Sequence, residues 1–418
     1  MKNILPDYNY LVGTKEKFLK EGFFILVIAA FLLIMPFALK TISLLIALMV
    51  GIATYHLLTK TRKFNSSNLL IGFVLFYLLH LIGVLFSSNR NEAWFDLEVK
   101  MSFFIFPFII MVEWELIKKY KTQILLFFVI SVLLVMLIDW TIAIFNYIEI
   151  SDIKVFYYEK LSAFMHPSYF GMYINFSIII IFTFVQNGLL KKKWIWGIVI
   201  LGSLVFLYFL SSRTDIIVGF LLGLIMLIVD TKYFPSKWMK MVFILIFVFF
   251  VVFTKNERFR QLDSHSLFVK EINLNTISSV STRVLLWDSA LDIIKENFWF
   301  GVGTGDVKDR LSAQNLQNGY EKVSNIPFNT HNEYLEVFIK FGLLGFLIFA
   351  ALLFIPFYLA LRNKDLLGFG FMLITTLNFL TESMLNRQAG VLFFMFFYSI
   401  LIIDNTTKII TKHTPNNL

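Results

Sequence analysis

Residues 122–148 read TQILLFFVISVLLVMLIDWTIAIFNYI, a run with almost nothing that water would solvate. As a helix rising 1.5 Å per residue it is about 40 Å long, more than the roughly 30 Å of a bilayer's hydrocarbon core. Similar runs recur at about 22–39, 41–59, 68–87, 101–115, 167–186, 194–211, 214–230, 238–254, 333–361, 365–386 and 388–404. Together they predict an all-α polytopic membrane protein with about 12 transmembrane helices. The run at 101–115 is short and contains Pro107, which suits a tilted or partly re-entrant segment.

Composition agrees. Of 418 residues, 58% are hydrophobic, only 16% are charged and 50 are Phe. A soluble domain of that make-up would have no surface to offer water. The net charge of +9 does not call for nucleic acid, because membrane proteins concentrate Lys and Arg in cytoplasmic loops. The absence of cysteine excludes disulfides, thiolate metal sites and cysteine nucleophiles. Lys15, Lys17 and Lys20 precede the first run without a small-residue cleavage site, which predicts an uncleaved first span.

Orientation follows from the connections. Alternate ones, starting with the amino-terminal tail, carry 20 Lys/Arg; the intervening ones carry seven. Both termini are therefore expected in the cytoplasm. The long polar stretch 255–331, with nine basic and nine acidic residues, then lies outside. This divides the chain into spans 1–9 over 1–254, an external loop domain over 255–332, and spans 10–12 with a cytoplasmic tail over 333–418. The same register gathers Arg90, His166, Arg213, Asp215, Arg283, His331, Glu382 and Arg387 at the external face, and leaves only basic loops on the other.

Arg213 stands in Ser211-Ser212-Arg213-Thr214-Asp215, a gap too short to leave the membrane boundary. It either snorkels to headgroups or pairs with Asp215, or it clamps a phosphate with its planar fork. Arg283 opens an amphipathic helix in which Trp287, Leu291, Ile294 and Phe298 share a face, with Thr282 as the expected N-cap. There it is either a solvated side chain or part of an anion site at a helix start. Gly301-Val302-Gly303-Thr304-Gly305-Asp306 lacks a surrounding βαβ unit, so it reads as a tight turn more than a phosphate nest.

His331, ahead of Asn332 and the tenth span, has Glu333 and Glu336 nearby and suits a general base or phosphate partner. His166 reads as a span cap. Glu382 reads as a carboxylate within the eleventh span, functional or else paired with Arg387. Lys340 and Glu336 form an i, i+4 pair.

Ser212-Arg213-Thr214, Thr282-Arg283 with Trp287, Gly301-Val302-Gly303-Thr304-Gly305, and His331-Asn332-Glu333-Tyr334-Leu335 running into Phe341-Gly342-Leu343-Leu344-Gly345 together resemble the O-antigen ligase and O-antigen polymerase superfamily of bacterial membrane glycosyltransferases. The resemblance is densest over about 205–350. It implies a GT-C-like fold and transfer of a glycan from undecaprenyl pyrophosphate, on the periplasmic face of the inner membrane, without metal or other cofactor. It also implies diphosphate binding by Arg213 and Arg283 and an essential His331, with Glu382, Arg387, His166 and Arg90 in supporting places. The acceptor would be lipid A–core in a ligase, or another lipid-linked repeat in a polymerase. A transporter of lipid-linked glycans is the reading from a different class, and the absence of an internal repeat counts against it.

Overall fold

The computed structural model describes residues 8–37, 39–228 and 278–413, and every regular element among them is helical. The expected span at 238–254 lies outside these residues. The amino-terminal unit contains α1 (Tyr8–Ile34), α2 (Leu39–Leu58), α3 (Asn68–Phe86), α4 (Arg90–Val99), α5 (Ser102–Ile150), α6 (Pro167–Gln186), α7 (Lys193–Leu210) and α8 (Arg213–Ile228). After the undescribed segment come α9 (Ser279–Glu296), α10 (Val307–Gln317), α11 (Glu321–Ser324), α12 (Glu333–Arg362), α13 (Leu366–Phe379) and α14 (Gln388–His413). Among the described residues, five helices are long and apolar enough to cross a membrane, and four shorter apolar helices accompany them. The chain is a multi-pass membrane protein, helical in every regular element of its described residues.

The buried centre of the bundle is α6. Pro167 fills its first position, where a missing N–H costs nothing, and His166 caps it by accepting the Ser168 N–H at 3.3 Å. It packs against α5, α7, α8 and α13. The filling is aromatic: Phe128 meets Phe397 at 4.7 Å, and Tyr173 stacks on Phe393 at 4.5 Å. Lipid tails are as apolar as these rings, so close packing, not release from water, holds the helices together.

Three expectations about spans need correction. The runs at 101–115 and 122–148 are not separated by a loop: helix runs on through Lys118, Lys119 and Lys121 between them, with a kink at Glu113, the one residue of α5 with non-helical backbone. The eleventh span stops at Phe379, because Asn378 and Leu377 close the last turn and Met384–Asn386 forms a separate 3-10 turn. Glu382 therefore sits past the helix end, not within it.

The face opposite the His331 end is also more than a set of basic loops. His56 Nδ1–H donates to the buried Glu113 Oε1 at 2.5 Å, and Arg62 lies 3.5 Å from both Glu113 and Glu21. Lys119 reaches Glu21 at 2.9 Å. This cluster pins the kink of α5 to the end of α2.

The third correction concerns α12, which is two helices meeting at Gly342. That residue has φ 62° and ψ −160°, a region open essentially to glycine. The break frees backbone groups, and the segment after α9 takes them up. Leu343 N–H donates to Phe298 O at 2.8 Å, Val302 N–H to Ile339 O at 2.8 Å, and Gly303 N–H to Lys340 O at 3.0 Å.

Candidate functional site

The glycine-rich segment is thus a stitch, not a phosphate nest. Gly301 (φ +70°) lies so close to the Ile339 and Lys340 carbonyls that a Cβ would collide with them. Beyond it, Thr304 Oγ1–H donates to His80 O at 2.9 Å, and the Asp306 carboxylate accepts from Ser88 and Asn89 N–H at 2.9 and 2.8 Å. These bonds dock the α9–α10 unit onto the end of α3 and the start of α4.

α9 begins with Ser278, whose hydroxyl accepts the Ser281 N–H at 3.2 Å, so the N-cap is Ser278 and not Thr282. Its buried face is Ala290, Ile293 and Ile294, packed with Val307, Leu311 and Ile339, together with Leu285 and Leu286, packed with Val323. Leu291 and Phe298, expected on that face, are exposed. The reason is tertiary: α9 leans on α10 and the first half of α12, and that contact selects a stripe rotated from the one the spacing suggested.

Arg283 consequently lies in the second turn of α9, aimed at the α13–α14 connection. Its Nε–H donates to Thr381 O at 3.1 Å, and its Nη2 forms a hydrogen-bonded ion pair with Glu382 Oε1. The other carboxylate oxygen, Glu382 Oε2, accepts from His331 Nδ1 at 2.9 Å. One carboxylate therefore bridges the histidine and the arginine. The expected Glu382–Arg387 pair does not form; Arg387 is exposed beyond the 3-10 turn. Burial works to raise the Glu382 pKa, but hydrogen bonds and charge from His331 and Arg283 win and hold it below the ordinary value.

Arg213 opens α8, and its neighbour Thr214 meets Thr381 through their hydroxyls at 2.7 Å. Thr381 is thus touched by Arg283 and by the residue next to Arg213, which brings the ends of α8, α9 and α13 together. His166 lies in the same neighbourhood, with its Nε2 3.3 Å from Tyr158 OH. Its pKa is lowered, first by burial and further by Arg387 and Arg283, against the pull of Glu382 and Glu159. Arg90, exposed at the start of α4, makes no hydrogen bond to His331, Arg283 or Glu382.

His331 has positive φ (48°) and stands outside α12, whose N-cap is Asn332, accepting from Tyr334 and Leu335 N–H. Glu333 and Glu336 do not face it. Glu333 Oε2 accepts the Leu385 N–H at 2.8 Å, and Glu336 accepts from Thr330 N–H and Oγ1–H and from Asn386 Nδ2–H.

Lys340 is more than a helical partner of Glu336, which is 3.6 Å away. It donates to Asp96 Oδ1 at 2.8 Å and Asn386 Oδ1 at 3.2 Å. Lys100 joins the same two acceptors from α4. Both lysines are buried. This network clamps the two loops that carry His331 and Glu382, and Ser383 Oγ reinforces it by meeting Thr330 Oγ1 and Asn332 N at 3.2 Å.

Asp96, Lys100, Asn386 and Thr381 escaped sequence reading. Their partners lie far away in the chain, and no periodicity links them. Chemically, a carboxylate on Nδ1 fixes the ring's tautomer and leaves Nε2 as a basic lone pair. Arg283 keeps N–H groups uncommitted for an anion. Among the described residues, no group of three or more His, Asp or Glu is arranged to hold a metal ion.

Comparison with known proteins bears on the segment that carries this site. A family model described as O-antigen ligase matches residues 197–350, which bears out the resemblance carried by the motifs over that segment. An uncharacterized protein of Haemophilus influenzae is 26% identical over 193 residues, spanning 45% of this chain and 43% of that protein.

Proposed function

We propose that this chain is a ligase-type glycosyltransferase that moves a glycan from undecaprenyl pyrophosphate to a lipid A–core acceptor at the periplasmic face of the inner membrane. The observation that carries the reading is the Glu382 carboxylate bridging His331 and Arg283.

In this mechanism Glu382 accepts the Nδ1–H of His331, so Nε2 faces the acceptor hydroxyl as base. The acceptor oxygen forms its bond to the anomeric carbon while the bond from that carbon to the diphosphate oxygen breaks, with inversion. The hydroxyl proton goes to Nε2. Negative charge grows on the leaving diphosphate, where Arg213 and the uncommitted N–H groups of Arg283 stabilise it. The chain itself supplies base and cations, so the step needs no cofactor.

The test is a deletion strain whose surface glycans are resolved on a gel and complemented with wild type or His331→Ala. Loss of glycan attached to lipid A–core, restored only by wild type, supports the ligase reading. Accumulation of single repeat units makes the enzyme a polymerase working with the same residues. Unaltered glycans would overturn both.

A further inference from the structure

We propose that Phe298-Trp299-Phe300 forms a lipid seat: an aromatic plug at the hydrocarbon boundary that moors the α9–α10 unit to the bilayer surface. The level of that boundary can be read from α12. After Gly342, Leu344, Leu347, Ala351, Phe354, Tyr358 and Leu361 are all exposed at three- or four-residue spacing, which makes one apolar stripe. From Leu343 to Arg362 the helix is about 30 Å long, the thickness of a hydrocarbon core. The stripe ends at Arg362 and Lys364, residues suited to headgroups. Its other end, at Leu344, then marks the opposite edge of the core.

The turn after α9 is fixed at that edge. The Leu343 N–H bond to Phe298 O joins it to the first residue of the spanning half-helix. The Trp299 carbonyl carbon lies 2.3 Å from where a Cβ on residue 342 would stand, so only glycine lets it this close. Phe298 meets Phe338 at 5.6 Å, and Phe338 meets Phe346 at 5.0 Å, which ties the turn to both sides of the break. Beyond these contacts Trp299 is 65% exposed and Phe300 86% exposed.

Two large rings presented to water would be unfavourable, whereas the headgroup level is where amphipathic and aromatic rings reside. A second copy of this chain could also cover such a surface. Continuity with a bilayer-length apolar stripe points to lipid instead.

The chain has no cysteine, so single sites can be labelled without background. Phe300→Cys and, as control, the exposed Gln317→Cys on α10 would each carry a small environment-sensitive fluorophore in the full chain. The labelled proteins would be placed in nanodiscs of phosphatidylethanolamine and phosphatidylglycerol, with or without lipid brominated near the top of its chains. Quenching by brominated lipid several-fold stronger at position 300 than at 317, with a blue-shifted emission, is the expected result. Equal, weak lipid quenching at both sites, with equal access to aqueous iodide, would overturn the proposal. So would a position-300 signal that changes only with the number of copies per disc, which would make the surface a contact between chains. Neither outcome depends on the glycosyltransfer reading.

Discussion

His331 and Glu382 are 51 residues apart in the chain, yet Nδ1 and Oε2 meet at 2.9 Å while the same carboxylate holds Arg283. Imidazole, carboxylate and guanidinium are thereby a single unit, so disturbing the carboxylate disturbs both of its partners.

Glu382→Gln keeps the shape but loses the charge that orients the ring and fixes Arg283. Transfer should fall by about 10²–10⁴-fold, as for loss of a positioned base. Assay with purified protein and lipid-linked donor should show His331→Ala falling comparably, and the double variant little further. Multiplying losses would mean that the two residues act separately.

The lowered Glu382 pKa sets a pH window. A carboxylate with a folded pKa below its unfolded value contributes stability above the ordinary pKa of about 4.3 and loses it as pH falls through the folded value. The wild-type advantage in melting temperature over Glu382→Gln should be constant between pH 5 and 8 and shrink below about pH 4. An advantage independent of pH would refute this assignment.

His166 titrates in a higher window with the same sign. Its pKa is lowered, so the neutral ring is the folded form, and its contribution is complete above about 6.5 and declines as pH drops through that value. Protonated Nδ1 cannot accept the Ser168 N–H. His166→Asn keeps a capping acceptor without the titration, so its melting temperature should vary less than wild type's between pH 7 and 5.

Gly342→Ala should be severely destabilising. The backbone conformation alone costs a residue with a Cβ about 1–3 kcal/mol, and that Cβ would lie 2.3–2.5 Å from Trp299 and Phe300 backbone atoms. A thermal melt in detergent within a degree or two of wild type would contradict the stitched break.

Lys340→Met leaves Glu336 without its cation and Asp96 with Lys100 alone. Stability should drop by about 3–5 kcal/mol, the usual cost of breaking a buried pair. Pairing it with Glu336→Gln should recover part of the loss. Strict additivity of the two would show that no direct interaction joins them.

Much of this protein is determined by sequence alone. Apolar runs of bilayer length leave no alternative to helices that satisfy their own backbone, so class and most span limits follow from composition and length. The order of Arg213, Arg283 and His331 marked the segment that carries the site because those side chains are chemically conspicuous. Tertiary structure decided the pairings. Glu382 looked intramembrane and bound for Arg387, since spacing cannot reveal that its helix ends at Phe379 and turns it toward Arg283 and His331. Glu333 and Glu336 seemed the natural partners of His331, but the left-handed backbone at His331 and the Asn332 cap send them to Leu385 and Asn386. Lys100 is buried on Asp96 beside Lys340, a meeting that no spacing announces. A helix's own periodicity says which residues share a face; which partner that face meets depends on distant segments brought together by packing, and no local pattern encodes it.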